Sequence, residues 1–214
     1  MGCEASRDKV NLVDQKSNQA AVVFPPLQLK ERGVWIMRSN LWGTSDEDYE
    51  IKDQDGEVML IRQSNPFHRY RCVLQYPGGD KAATIVMNTF STPVSFQVFR
   101  HSNSESQMLP AADMRITYSK EVARYNLLVG DPRKESVVGL WETGGLLATG
   151  NRRLVTADRG DCVAVADGAP PIDQGSESPP EFDLCMGAGL DAGLAVCMMI
   201  MMEMGYHSTQ SGAA

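Results

Sequence analysis

The sequence predicts a mostly β domain, a sandwich or a barrel, that ends in a single buried helix. Three observations predict it. From Val34 onward, short segments rich in β-branched and aromatic residues alternate apolar with polar positions and are separated by Gly, Pro, Asp and Asn. Between Leu184 and Met204 the chain turns apolar, with small residues and methionines. The 214 residues are 43% hydrophobic and 22% charged, ample for one core.

Residues 1–32 lack strong periodicity, and Phe24-Pro25-Pro26 breaks any regular element, so this stretch reads as a flexible tether. The domain itself is expected over 33–205. Tyr49 and Ile51 alternate with charged neighbours, Asp53-Gln54-Asp55-Gly56 turns the chain, and Glu57 to Arg62 returns it as a hairpin. Arg69 to Gln75 and Thr84 to Asn88 flank Pro77-Gly78-Gly79-Asp80 as a second one. Val94, Phe96 and Val98, then Met114, Ile116 and Tyr118, alternate with polar residues and predict strands with one wet face. Further strands are expected at Arg124 to Val129, Val137 to Thr143, Leu154 to Ala157 and Asp161 to Val165. About ten strands at short, regular spacing indicate a sandwich or a barrel. Residues 168–180 read as a Pro/Ser-rich loop and 206–214 as a disordered tail.

The apolar end favours helix, because Leu, Ala and Met lead the propensity scale. Being hydrophobic all round, it must lie in a core or in lipid. Length decides. The uncharged run Ala192 to Met202 is 11 residues, roughly 16 Å of helix against a hydrocarbon layer of about 30 Å. Extending it back to Leu184 places Asp191 mid-bilayer at about 2.5 to 3.5 kcal/mol. A buried helix over 186–204 is therefore expected. Gly189 and Gly193 have the spacing of membrane dimer motifs, but small residues equally let strands approach a buried helix.

Three stretches carry a family resemblance. Asp48-Tyr49-Glu50-Ile51-Lys52-Asp53-Gln54-Asp55-Gly56-Glu57-Val58 is similar to an early hairpin of the tubby C-terminal-like fold, within its LURP-one-related and scramblase branch. Phe182-Asp183-Leu184 followed by Gly189-Leu190-Asp191 resembles that branch's closing strand and helix, and His68-Arg69-Tyr70-Arg71-Cys72 resembles its basic-aromatic strand opening. The resemblance implies a closed antiparallel β-barrel of about twelve strands around a central hydrophobic C-terminal α-helix. It also implies association with membranes or phosphoinositides. No phosphoinositide-binding motif of tubby type carries over residue by residue.

Charge and cysteine usage bound the function. A net charge of -7 excludes a nucleic-acid surface. The 5 cysteines are odd in number, scattered and without a C-x-x-C pair, as expected of a reduced, cytosolic chain. No secretory run precedes the domain. Met1-Gly2-Cys3-Glu4-Ala5-Ser6 fits the signal in which Gly2 is myristoylated. One myristoyl chain binds with an association constant of only about 10⁴ M⁻¹, so a second anchor is needed. Residues 1–32 hold five basic against four acidic side chains, too little for an electrostatic one. Cys3, palmitoylated once at the membrane, supplies it.

Other chemistry is mostly excluded. Aligning Gly56 to the glycine of an EF-hand puts Ile51 and Arg62 at ligand positions, where neither binds calcium. Gly139 to Gly144 has phosphate-loop spacing, yet Gly145 stands where lysine is required. His68, His101 and His207 are scattered, and Cys162 has no signature of a paired base. No enzyme, metal or cofactor is expected. The remaining candidates are basic: His68, Arg69 and Arg71 near one turn and Arg152 with Arg153 near another, which could face anionic headgroups.

The expectation is a non-enzymatic adaptor or phosphoinositide sensor, tethered at the cytoplasmic face of the plasma membrane or an endomembrane. Its partners would be membrane lipids and proteins, not nucleic acid. The alternatives are a scramblase-like lipid transporter with a membrane-inserted helix and a lipocalin-like carrier.

Overall fold

The computed structural model describes residues 11–15, 22–38, 48–63, 70–88, 90–91, 94–102, 105–118, 123–129, 137–143, 152–156, 159–167 and 181–211. Their architecture is mostly β with one C-terminal helix. The strands are β1 (Gly33–Arg38), β2 (Tyr49–Asp53), β3 (Val58–Gln63), β4 (Arg71–Gln75), β5 (Lys81–Asn88) and β6 (Ser95–Ser102). They continue as β7 (Glu105–Tyr118), β8 (Ala123–Val129), β9 (Val137–Thr143), β10 (Arg152–Thr156), β11 (Cys162–Asp167) and β12 (Glu181–Met186), followed by helix α1 (Ala192–Ser211). Each strand pairs antiparallel with its sequence neighbour, and β12 returns to β1, closing the sheet into a barrel.

Turn chemistry sets the hairpins. At the β2–β3 turn, Asp53 Oδ1 accepts the amides of Asp55 and Glu57 at 3.0 and 2.8 Å, so this carboxylate holds a turn. The β4–β5 turn is closed by the Tyr76 amide on the Asp80 carbonyl at 2.8 Å. On β6 alternate residues face inward: Phe96 and Val98 are 0% exposed while Gln97 between them is exposed. β7 is much longer than the alternation at Met114 predicts. Pro110 sits opposite Phe99 where the register shifts, the kind of irregularity at which a strand accepts proline.

Barrel width explains the helix. Twelve strands spaced about 4.8 Å and tilted about 40° enclose a cylinder roughly 24 Å across, too wide for wall side chains alone to fill. A helix of about 10 Å diameter fills it. Ala195 to Met202 are all 0% exposed and join one core with Trp35, Ile51, Ile85, Phe96 and Met114 from the wall. An all-round apolar helix is what a closed wall demands.

Three boundaries differ from the sequence expectation. α1 starts at Ala192 rather than 186, because Gly187 to Leu190 form the turn from β12, and it continues to Ser211 through part of the expected tail. The loop 168–180 lies outside the described residues. The tether is the larger correction. Leu12 packs on the outer face of the barrel with Val34, Val165 and Cys185. The Val13 and Gln15 amides bond to the Cys162 and Ala188 carbonyls, and Arg32 pairs with Asp14 at 2.8 Å. Farther on, Val23, Phe24 and Leu27 are buried in the main core at the end of the barrel where α1 begins. Here the prolines do not break the chain but open a short 3-10 helix, Pro25–Leu27, in which the Leu27 amide donates to the Phe24 carbonyl at 2.8 Å and both side chains are buried.

Asp191 joins plug and helix. It is 1% exposed; its Oδ1 caps the Leu194 amide at 3.0 Å, and its Oδ2 accepts the Val23 and Phe24 amides at 2.7 and 2.6 Å. Burial raises its pKa, while the converging amides lower it. The carboxylate that the hydropathy argument treats as a barrier to membrane insertion is a helix cap.

Candidate functional site

In an antiparallel circuit every even-numbered strand starts at the same end. Arg71 opens β4, and Arg152 with Arg153 opens β10, so these candidates share the rim opposite the plugged end. They do not form one cluster. β4 and β10 are six positions apart in the circuit and stand on opposite sides of the rim. The arginine pair is also split. Adjacent strand residues face opposite sides, and Arg152 is 3% exposed whereas Arg153 faces water. Burial removes Arg152 from the headgroup candidates. His68, Arg69, Gly2 and Cys3 lie outside the described residues.

On the β4 side the rim carries two features that the sequence did not single out as a pair. Phe90 is 99% exposed and Tyr70 is 54% exposed. Asn88 presents Phe90: its side-chain oxygen accepts the Phe90 amide at 3.1 Å, and its carbonyl accepts the Ser91 hydroxyl at 3.0 Å. Ser91 and Ser95 hydroxyls, 2.9 Å apart, close the base of this turn. The Met87 amide donates to the Tyr70 carbonyl at 2.8 Å, so the Tyr70 and Phe90 turns are tied side by side with Arg71. Phe90 gave no signal in the sequence, because a lone aromatic between polar turn residues fits no periodic pattern.

The interior of the same rim is polar. Arg62 of β3 donates to Glu203 of α1 and to the Tyr49 hydroxyl, each at 3.3 Å, and its guanidinium lies 5.4 Å from the Tyr49 ring centre. Burial pushes the Tyr49 phenol up to about 12, against the opposing pull of Arg62. Burial also raises the Cys72 thiol beside them, opposed by Arg62. This pair ties the far half of α1 to the wall.

On the outer wall, His101 Nε2 lies 2.8 Å from the buried Thr84 hydroxyl. Burial depresses its pKa first, helped by Lys81 and Arg71. Cys162 is half-buried with its thiol pKa raised by burial, the opposite of an activated nucleophile. Among the described residues no group of three or more His, Cys, Asp or Glu could hold a metal ion, and no helix is long and apolar enough to cross a membrane.

A solved structure of a protein from Arabidopsis thaliana is similar over 86% of this chain and 98% of that chain, with a TM-score of 0.59 and 13% sequence identity. The two chains share a fold. At that identity the likeness extends to the fold alone. No family model and no curated protein matches the sequence.

Proposed function

We infer that the protein is a non-enzymatic, membrane-associated domain of the tubby C-terminal-like kind, in the LURP-one-related and scramblase-like branch. It serves as an acyl-anchored adaptor or phosphoinositide sensor at the cytoplasmic face of the plasma membrane or an endomembrane. The shared fold supports the family, and the three sequence stretches support the branch. Phe90 carries the membrane reading. An almost fully exposed phenylalanine held on a hydrogen-bonded turn, beside an exposed tyrosine and arginine, has the chemistry of an interfacial contact. Moving a Phe side chain out of water is worth about 1.5 to 3 kcal/mol, less than the roughly 5 kcal/mol of a single myristoyl chain, so the rim is a second contact that adds to an acyl anchor.

The acyl chains and this rim can serve one bilayer. Gly2 lies nine residues before Asn11, a reach of up to about 30 Å. Strands of six to eight residues are only about 20 to 27 Å long. Two weak contacts joined by a short leash bind far more tightly than either alone. α1 occupying the barrel interior speaks against a lipocalin-like carrier. A scramblase-like inserted helix would have to leave a core in which Ala195 to Met202 are 0% exposed.

The test uses the unacylated full chain and sedimentation with phosphatidylcholine vesicles containing phosphatidylserine or a phosphoinositide. Phe90→Ser with Tyr70→Ser should weaken binding by about tenfold or more. Equal binding by wild type and the double variant, or none by wild type, would refute the rim's role.

A further inference from the structure

The rim around Phe90 is not level. With strands tilted about 40°, a level rim needs each strand to end about one residue beyond the strand before it. Here the steps are unequal. β6 begins at Ser95, opposite both Asn88 at the end of β5 and Arg115 of β7, whereas β7 runs on for three more residues to Tyr118, opposite Ala123. β8, β9 and β10 then keep one register, with Thr117, Arg124, Glu142 and Arg153 in a row, so the tilt carries their ends back down. The β7–β8 hairpin is therefore a crest, roughly 5 Å above the start of β6 and next to the Phe90 turn that joins β5 to β6.

Charge divides the rim along the same line. At this end of the barrel, β4 to β10 contribute Arg71, Arg115, Arg124 and Arg153 against Glu142, with Arg152 buried. Arg62 of β3 is spent on Glu203. On the other half, β11, β12 and β2 contribute Asp167, Glu181 and Glu50 against Arg38 of β1. The sequences that join the strands at this end follow suit: Asp46, Glu47, Asp173 and Glu177 belong to the acidic half, and the joins of the basic half add Arg69 and no excess of acid.

We propose that the β7–β8 hairpin, through Arg115 and Arg124, is a second contact with an anionic bilayer surface, so that the barrel docks tilted onto its β5–β8 side. The inference rests on the membrane reading of Phe90 and names the edge by which that contact is made. Height brings the hairpin to the surface together with Phe90. Arg115 and Arg124 add an attraction to anionic headgroups that the uncharged Phe90 turn lacks. The tilt also keeps the acidic half away, because the barrel is roughly 24 Å across and charges are screened over about 8 Å at physiological salt. A chain of net charge -7 thereby meets an anionic surface with its basic side.

The test uses the unacylated full chain and phosphatidylcholine vesicles with and without phosphatidylserine. Arg115→Gln with Arg124→Gln should weaken sedimentation with the anionic vesicles by about tenfold or more and flatten its dependence on salt. Glu50→Gln with Asp167→Asn, on the far half of the rim, should change it by less than about twofold. Hydrogen exchange of the wild-type chain needs no variant to fold: on anionic vesicles the amides of 115–118 and 123–126 should slow, and those of 181–183 should not. Three results would overturn the proposal. Binding that Phe90→Ser with Tyr70→Ser removes but the arginine pair leaves unchanged would sink the hairpin contact and leave the Phe90 reading standing. Slowed exchange at 181–183 in place of 115–118 would show that the opposite edge docks. A wild-type chain indifferent to the anionic vesicles would end both readings together.

Discussion

Single residues show where local chemistry holds this fold. Gly189 has φ of 80°, and a Cβ there would collide with the Gln15 carbonyl. Gly193 is equally constrained, since a Cβ would stand 2.7 Å from Leu27 and 2.9 Å from Phe24. Gly189 and Gly193, read from sequence as room for packing neighbours, make room for the N-terminal segment rather than for strands. Gly189→Ala is expected to lower stability by about 1 to 3 kcal/mol in urea denaturation, from the left-handed backbone alone. His101 has a sign of its own. Its folded pKa lies below the ordinary 6.5, so the unfolded chain takes up the proton first as pH falls. Stability contributed by neutral His101 is complete above pH 6.5 and is lost as pH drops toward the depressed value. His101→Gln should flatten the stability profile over that window.

Elements were legible where their period was local. The β2–β3 and β4–β5 hairpins follow from alternation and turn residues, and β9 matches its expected span of Val137 to Thr143. β12 was invisible to periodicity, because Phe182 to Met186 run into the apolar stretch that precedes α1. The N-terminal segment was misread for another reason: its order comes from tertiary partners, not from any repeat. That origin has a consequence. Leu12 covers Val34, Val165 and Cys185 on the outer wall, so Leu12→Ala should cost about 2 kcal/mol and expose the Cys185 thiol. Labelling of Cys185 by a maleimide should accelerate; an unchanged rate would show that the segment does not cover it.

At the scale of the molecule, the closed wall, the enclosed helix and the plugged end leave the opposite rim as the surface with chemistry to spare among the described residues. Sequence placed the basic residues near two turns but could not tell that Arg152 is buried or that β4 and β10 stand opposite each other. Those facts need the circuit of strands. With Arg71 on one side and Arg153 on the other, charge alone does not define a docking face, and the proposed one rests on the exposed aromatics beside Arg71. Membrane contact at Phe90 is the central claim. The most direct measurement is the emission of a Phe90→Trp variant of the acylated protein, taken as a difference from wild type, on vesicles with brominated acyl chains. A blue shift with quenching is expected, placing the indole of that variant among the lipid chains. Emission unchanged from water, in protein that sediments with the vesicles through Gly2 and Cys3, would contradict it.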